Sequence, residues 1–593
     1  MKENRLRYRR MLAILPHGSA RAVRTHMIGS SVLVILDIAA LALLAMTLSP
    51  MMSGKEIKLP VIGVVGQNSY GWIFLIVCLL IITKSTLSTF LQWRITRKMV
   101  GFEVELGDQL FAAYIHAPWV DRLSRTSNQV VHLADVGVAN AMSGFLIPYI
   151  SFPAVIATIV AVTALVAVAQ PLTALLTLVY LGLIGLLLTT VLSRRTRQTA
   201  QTRRDYGFKV TGLITDMLSA LKEVTLRNGL DSIATAVHRD RIPLARSRAN
   251  LNFLGTFPRF ILDASLIGGI LVIGGVAYLI GGIAFAGTAI ALFAIAGIRL
   301  IPSLTAMQSV NNALHSNGVY VDDLVAAVET SREFIARAEV MGREPLPESP
   351  KVIKFSKASF TYPGHKKPAV KDVDLTIPIG STMGVVGSSG AGKSTFIDIL
   401  LGLLSPTSGK VTIDGVELHD VLRDWRSHVG YVPQDVTLFS GSVAQNVALT
   451  WNDDIDEAKV IRALKRAQLW PSIQRRTGGI WSEVGERGIA LSGGQRQRLG
   501  IARALYNEPL VLVMDEATSA LDTRTEADVA EALSSLAGDI TIISVAHRLS
   551  TIRDSDQIVF MQDGRVRDHG TFDQLVKRIP EFREQAQLAG LVS

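Results

Sequence analysis

The sequence predicts two folds in tandem, an all-α membrane domain of six spans followed by an α/β domain. Three observations carry that reading. Six apolar stretches, at about 27–49, 71–92, 137–168, 172–193, 260–280 and 284–306, are each long enough to cross a bilayer core that needs ~20 helical residues. A proline-rich break, Glu344-Pro-Leu-Pro-Glu-Ser-Pro350, ends that regime. Beyond it, β-branched runs at Leu375–Pro378, Thr382–Val386, Leu510–Met514, Ile540–Val545 and Gln557–Met561 alternate with helical patterns, as in an α/β layer. A chain of 593 residues requires more than one core. The 49% apolar content and positive mean hydropathy fit a membrane component better than an unusually apolar soluble protein. The expected division is 1–25 for an N-terminal amphipathic helix, 26–325 for the spans and their loops, 326–350 for a linker and 351–593 for the α/β domain.

Residues 1–25 place Lys2, Arg5, Arg7, Arg9, Arg10, Arg21 and Arg24 among Leu6, Met11, Leu12, Ile14 and Leu15. No small-residue cleavage site precedes the first apolar stretch, so a secretory leader is not indicated. The segment reads as an amphipathic helix on the inner membrane surface. The spans meet in tight outer turns at Gln170-Pro171 and Gly281-Gly282, while the first outer loop, 50–70, is longer and rich in glycine and proline. Arg94, Arg97 and Lys98 follow span two; Arg194, Arg195, Arg197, Arg203 and Arg204 follow span four; Arg239, Arg241, Arg246 and Arg248 precede span five. By the positive-inside rule the N-terminus, both long loops (93–136 and 194–259) and the α/β domain are cytoplasmic. The net charge of +10 is therefore a topology signal, and nucleic acid is not an expected partner. The single cysteine, Cys78, excludes an intrachain disulfide. Each long loop has a candidate short crossing helix, near Ala117–Ser124 and Met217–Thr225, suited either to touching a partner domain or to ordinary loop packing.

The α/β domain holds the clearest chemistry. Gly387, Ser388, Ser389, Gly390, Ala391, Gly392, Lys393 and Ser394 match G-x-x-x-x-G-K-[ST], with a strand before and a helix from Ser394 and Thr395 after. Glycines let backbone N–H groups converge on phosphates, Lys393 supplies a point charge, and the Ser394 hydroxyl suits Mg²⁺. The positive end of the helix dipole favours the anion. Leu510–Glu516 is an apolar strand ending in two carboxylates: Asp515 is expected to hold Mg²⁺, and Glu516 to polarise the attacking water as general base. Leu491, Ser492, Gly493, Gly494 and Gln495 open a second helix with a second anion-binding end. One γ-phosphate does not need two such ends in one chain. The economical arrangement is a dimer in which this segment closes over the nucleotide held by the other subunit's Lys393.

Together, in this order and spacing, the motifs resemble those of the ATP-binding-cassette exporters, specifically half-transporters whose membrane domain precedes the ATPase domain. The resemblance covers nearly the whole chain. It implies ATP and Mg²⁺ as cofactors, a multi-pass protein of a bacterial inner membrane, and a second half-transporter as partner, the intact motif set favouring a homodimer. It also implies roles for further residues. Tyr362 matches the aromatic that stacks on adenine, and Gln434 the glutamine that contacts Mg²⁺ and the water. Gly485–Gly488 matches the segment that meets the crossing helices. Ser519–Asp522, with Asp522 at its end, matches the loop that links the two sites. His547 matches the switch histidine on the γ-phosphate.

Cargo must be read from the spans, where ionisable residues are costly and mark function by default. Asp37 and Lys84 both fall roughly 20 Å below the outer end of their spans, and Arg299 roughly 22 Å. Arg259 and Asp263 share a helix face. Asp37–Lys84 and Arg259–Asp263 are equally readable as structural ion pairs. Arg299 then has no evident partner and invites an anionic ligand. Gln308, Asn311, Asn312, His315 and Asn317 continue down span six, either to bond sugars or to face an aqueous cavity. The expected activity is ATP-driven alternating access that moves an anionic lipid-linked substrate, as the resemblance to lipid-linked-oligosaccharide flippases implies. An exporter of drugs, other lipids or peptides is the alternative, and a non-transporting cassette ATPase a remote one.

Overall fold

A computed structural model describes residues 2–53, 57–59, 63–65, 70–123, 133–339, 342–485, 488–516, 538–546 and 548–592. The chain forms two compact units, Met1–Ala117 with Ser124–Ile335, and Pro118–Leu123 with Ala336–Ser593.

The first unit is helical. Helix α1 (Lys2–Ile14) is followed by α2 (Ser19–Ser53) and α3 (Tyr70–His116), and two π-helical segments at Leu133–Gly137 and Asn140–Leu146 lead into α5 (Ile147–Ala169). Then come α6 (Pro171–Ser219), the short α7 (Leu221–Leu226) and α8 (Leu230–Glu339). Five helical runs among the described residues are long and apolar enough to cross a membrane. The last of them, in α8, is two arms joined at Gly282, whose φ of 73° and ψ of −169° break the helix at the glycine pair that the sequence marks as a turn. The first outer loop contributes a small hairpin, β1 (Ile57–Leu59) against β2 (Gly63–Val65), which its glycines and prolines did not announce.

Glycine lets the two arms of α8 approach closely. A β-carbon on Gly269 would lie 2.3 Å from Phe293, one on Gly274 2.7 Å from Ile290, and one on Gly297 2.6 Å from Leu266. These contacts are symmetric about the Gly281–Gly282 turn, so one register runs along the whole hairpin. Tyr180 of α6 joins it through a bond from its hydroxyl to the Ser265 carbonyl, 3.1 Å.

The N-terminal helix packs on protein as well as carrying the basic face expected on a membrane surface. Met11 and Ile14 are buried. Tyr8 stacks on Tyr149 with centroids 4.2 Å apart. Arg7, also buried, donates to both carboxylate oxygens of Asp322 at 2.7–3.1 Å and pairs with Glu3 at 2.9 Å.

The second unit takes in the short helix α4 (Trp119–Leu123), whose Trp119 and Val120 pack against its core. A four-stranded antiparallel sheet, in the order β4-β3-β6-β7, comprises β3 (Val352–Phe360), β4 (Val370–Pro378), β6 (Ser408–Ile413) and β7 (Val416–Glu417). A six-stranded sheet, in the order β12-β11-β5-β10-β9-β8, comprises β5 (Thr382–Gly387), β8 (Val429–Val432), β9 (Val511–Asp515), β10 (Thr541–Val545), β11 (Gln557–Gln562) and β12 (Arg565–Gly570). All but β12 run parallel. Strands buried on both faces read as continuous apolar runs, which is why Leu510–Met514 lacks alternation. Helix α9 (Lys393–Leu400) is buried in the core that both sheets share, Phe396 against Phe355 with centroids 4.9 Å apart. A second core gathers α10 (Val443–Ala448), α11 (Glu457–Arg466) and α12 (Gly493–Leu505).

Candidate functional site

Parallel register assembles the site. Val385 of β5, Val545 of β10 and Asp515 of β9 occupy one row, so the loop after β5 and the carboxylates after β9 emerge together at the carboxyl ends of the strands. Val432 of β8 faces Met514 of β9. Two residues further on, Gln434 and Glu516 therefore meet: the Gln434 amide donates to the Glu516 carboxylate at 2.8 Å. The Glu516 N–H donates to the Val545 carbonyl at 3.1 Å, and its φ of 51° puts a non-glycine residue in the left-handed region.

The loop itself depends on two left-handed glycines, Gly390 (φ 79°) and Gly392 (φ 93°), the latter capping α9. A β-carbon on Gly392 would sit 2.5 Å from the Ala369 carbonyl oxygen, so side chains are excluded there on two counts. Lys393 turns back over the loop and donates to the carbonyls of Gly387 (2.8 Å) and Ser388 (3.1 Å). Burial pushes its ammonium below its ordinary pKa, against the opposing pull of Glu516 and Asp515. The Tyr362 hydroxyl lies 3.3 Å from the Thr395 hydroxyl, which brings the aromatic ring beside the start of α9.

Two groups that the sequence reading passed over border Asp515. The Tyr431 hydroxyl donates to its carboxylate at 3.4 Å. Burial, with Asp515 and Asp398 nearby, pushes the Tyr431 phenol up to about 12. Burial and the charge of Asp515 raise Asp398, five residues after Lys393 in α9, to about 6. The available signal was a lone carboxylate in the apolar run Phe396-Ile-Asp-Ile-Leu-Leu. The Ser394 hydroxyl, Asp515 carboxylate and Gln434 amide each offer an oxygen donor. That suits Mg²⁺, a hard cation bound through one or two carboxylates together with substrate phosphates.

The second anion-binding end forms as a capping box. The Ser492 hydroxyl accepts from the Gln495 N–H, and the Gln495 side chain accepts from the Ser492 N–H at 3.0 Å. The Gln495 amide also donates to Ser472 at 2.7 Å. Gly493 and Gly494 are left as the first residues of α12, with N–H groups that helix geometry does not use. None of the described hydrogen bonds or ion pairs joins Gly387–Thr395 to Leu491–Gln495. His547, Asp522, the rest of Ser519–Asp522, and the two central residues of Gly485–Gly488 lie outside the described residues.

In the helical unit, Arg299 corrects the expectation that it lacks a partner. Its guanidinium lies 3.6 Å from one oxygen of Asp37, and Lys84 lies 3.7 Å from the other. Asp37 is buried, so two cations share one desolvated carboxylate. Arg259 and Asp263 form an exposed pair at 3.7 Å. Three of the five polar residues down span six, Gln308, Asn312 and Asn317, are likewise engaged within the protein. The Gln308 amide donates to the Gly185 carbonyl (3.0 Å) and Thr189 (2.9 Å), Asn312 to the Leu254 carbonyl (2.8 Å) and Asn317 to the Gly144 carbonyl (3.1 Å). All three are buried and tie neighbouring helices together.

The chain is similar to several known proteins. Residues 370–519 match the family described as ABC transporter. An ATP-dependent lipid A-core flippase of Chromobacterium violaceum is 35% identical over 59% of this chain and 58% of its own length. A beta-(1→2)glucan export ATP-binding/permease protein of Bradyrhizobium diazoefficiens is 43% identical over 41% of this chain and 40% of its own. A sophorolipid transporter of Starmerella bombicola is 39% identical over 47% of this chain and 21% of its own. The aligned regions thus span between about a fifth and three fifths of these relatives. The solved structure of a bacterial Atm1-family ABC exporter with ATP bound superposes with a TM-score of 0.76, covering 96% of this chain and 98% of that one at 23% identity.

Proposed function

From a chain whose residues 370–519 belong to an ABC transporter nucleotide-binding domain, and whose fold is that of an ABC exporter, we propose an ATP-driven flippase that works as a homodimer in a bacterial inner membrane. Its cargo in this reading is an anionic, lipid-linked amphiphile, moved from the cytoplasmic to the outer side. The N-terminus and the ATPase domain are cytoplasmic.

Glu516 acts as general base on the attacking water, held by the Gln434 amide, while Lys393 and the loop N–H groups hold the phosphates. Ser394, Asp515 and Gln434 would hold Mg²⁺, which when bound would supply charge neutralisation to the phosphates. Each such site is half-built in one chain; Ser492–Gly494 of a second copy complete it. Tyr362 stacks on the adenine, Asp522 links the two sites and His547 reads the γ-phosphate. Nucleotide clamps the two ATPase domains together, and α4 and α7 carry that closure to the spans. Leu218, Leu221, Leu226 and Leu230 around α7 are all more than two-fifths exposed, an apolar cluster that favours docking on a second copy.

The observation that carries the choice of cargo is the Lys84–Asp37–Arg299 triad. Two cations against one carboxylate leave a positive charge within apolar segments, where an unmatched charge is costly unless a ligand supplies its counterpart. The names of the relatives, a lipid A-core flippase, a glucan exporter and a sophorolipid transporter, support an amphiphilic cargo. ATPase activity of the full chain in liposomes, titrated with anionic lipids, zwitterionic lipids and cationic drugs, tests the reading. Anionic lipids should stimulate wild type, and Arg299→Ala should lose most of that response. Stimulation by cationic drugs instead, or an Arg299→Ala response equal to wild type, would support the multidrug, lipid or peptide exporter.

A further inference from the structure

Strand register and helix periodicity bring Tyr431, Asp515, Ser394 and Asp398 together at the carboxyl end of the six-stranded sheet. Tyr431 of β8 lies opposite Val513 of β9 in parallel register, and Asp515 comes two residues after Val513. Tyr431, Val513 and Asp515 therefore share one face of the sheet. Val511 and Val513 belong to the core that holds Phe396, Ile397 and Leu400 of α9, whereas Leu512 and Met514 belong to the core that holds α12. The shared face is thus the one that α9 covers. On α9, Ser394 and Asp398 are four residues apart and occupy one stripe, and helical side chains lean back toward the preceding turn, here the one that carries Ser394.

Ser394 and Asp515 are among the residues that would hold Mg²⁺; Tyr431 and Asp398 have no task in that reading. Asp398 is part-buried between the buried Ile397 and Ile399, and its carboxyl has no hydrogen bond or ion pair among the described residues. It feels the charge of Asp515. Burying a carboxyl without a partner is costly, and a second carboxylate beside it adds to the cost. Asp398, Asp515 and Glu516 stand around one ammonium, that of Lys393, so the cluster carries an excess of negative charge. Repulsion from Asp398 also favours turning the Asp515 carboxylate away from α9. The Tyr431 phenol opposes that turn by donating to Oδ2 of Asp515 at 3.4 Å. A donor on one carboxylate oxygen fixes the direction of the other.

We propose that Tyr431 and Asp398 are positioning residues for a divalent cation beside the phosphates. Tyr431 fixes the direction of the Asp515 carboxylate, and Asp398 adds a second negative charge one helical turn below Ser394. The inference rests on the ATPase reading of this site and gives tasks to two residues outside its motifs. A small, strongly hydrated cation is held through carboxylates, and the excess negative charge here is of the sign it requires. The two residues are coupled, because the phenol has a carboxylate to restrain only while Asp398 repels it.

The test uses the full chain in nanodiscs and a fluorescent, non-hydrolysable analogue of ATP, so that no turnover enters the reading. The readout is the analogue concentration for half-saturation, measured with Mg²⁺ and again in chelator; the ratio of the two is the gain from the metal. Mg²⁺ should tighten binding to wild type. Tyr431→Phe should lower that gain roughly three- to tenfold, the effect of losing one hydrogen bond, and leave binding in chelator unchanged. Asp398→Asn should also lower the gain, and Tyr431→Phe on that background should cost less than it does on wild type. A Tyr431→Phe chain with the wild-type gain, or with an equal loss in chelator, would overturn its assignment. Additive effects of the two substitutions would overturn the coupling between them. No gain in wild type would overturn the metal assignment as well, and no binding of the analogue at all would overturn the ATPase reading beneath it. Thermal unfolding in chelator supplies the control: a Tyr431 that merely supports the fold would lower the unfolding temperature when replaced and leave the gain from Mg²⁺ intact.

Discussion

Glu516 holds a backbone conformation that costs a non-glycine residue of order 1 kcal/mol or more. The turn that imposes it also brings the carboxylate onto the Gln434 amide. Replacing the carboxylate by an amide keeps the shape and removes the base. Glu516→Gln should therefore bind ATP with near wild-type affinity while hydrolysis falls at least ~100-fold; sustained turnover, measured as phosphate release, would refute the assignment. A second residue-scale expectation concerns pH. Asp398 keeps its proton to about 6, above its ordinary value near 3.8. Between those values the folded chain is protonated at this group and the unfolded chain is not. The group's contribution to stability is thus complete below pH ~4 and lost as pH rises to about 6. Asp398→Asn stays neutral throughout. In chelator and without nucleotide, it should raise the unfolding temperature more at pH 7.5 than at pH 5; equal shifts would count against a buried acid. The candidate phosphate loop and the Asp515–Glu516 pair could be picked out because their spacing is local. Tyr431 and Asp398 could not, because their importance comes from neighbours more than eighty residues away in the chain.

Helix lengths and the glycine turn at Gly281–Gly282 were readable as pattern, whereas the partner of each helix face was not. Gln308, Asn312 and Asn317 illustrate the limit: as polar residues in a span they signal a cavity, yet their amides bond to carbonyls 123, 58 and 173 residues away. Arg299 is a parallel case, since its carboxylate sits on the first span. Glycine spacing in α8 carries its own test. A methyl on Gly269 would overlap Phe293, which is wholly buried and has no room to withdraw, whereas one on Gly275 meets nothing within 4 Å. Overpacking of this kind typically costs ~1–3 kcal/mol, and alanine is otherwise the better helix former. Scanning fluorimetry in detergent should show Gly269→Ala unfolding several degrees below wild type and Gly275→Ala unchanged or slightly above. Equal effects of the two would mean that the hairpin does not pack at the register the two α8 arms share.

At the scale of the whole molecule the decisive feature is that two helix ends suited to anions, at α9 and α12, are built into one α/β domain with none of the described hydrogen bonds or ion pairs joining them. The α9 end carries Lys393, with Asp515 and Glu516 beside it at the end of β9, the carboxylates proposed above for catalysis; the α12 end, capped by Ser492, offers only backbone N–H groups and a hydroxyl. An arrangement that clamps ATP between two copies uses both ends twice, under one two-fold axis. If so, Ser389 of one chain faces Ser492 of its partner across the nucleotide, and both are exposed within a single chain. In a Cys78→Ser, Glu516→Gln background, Ser389→Cys with Ser492→Cys should then form interchain disulfides under mild oxidation when ATP and Mg²⁺ are present. Such bonds require Cα atoms within about 7 Å, so the reaction reports the closed clamp and not mere proximity. The band of doubled mass should disappear on reduction and fall sharply when nucleotide is omitted. The Lys393→Ala version should lose the nucleotide dependence, since the phosphates that draw the two ends together are no longer held. Crosslinking that ignores ATP, or none at all with ATP bound, would mean that Ser492–Gly494 serves some other anion, and the homodimeric clamp would have to be abandoned.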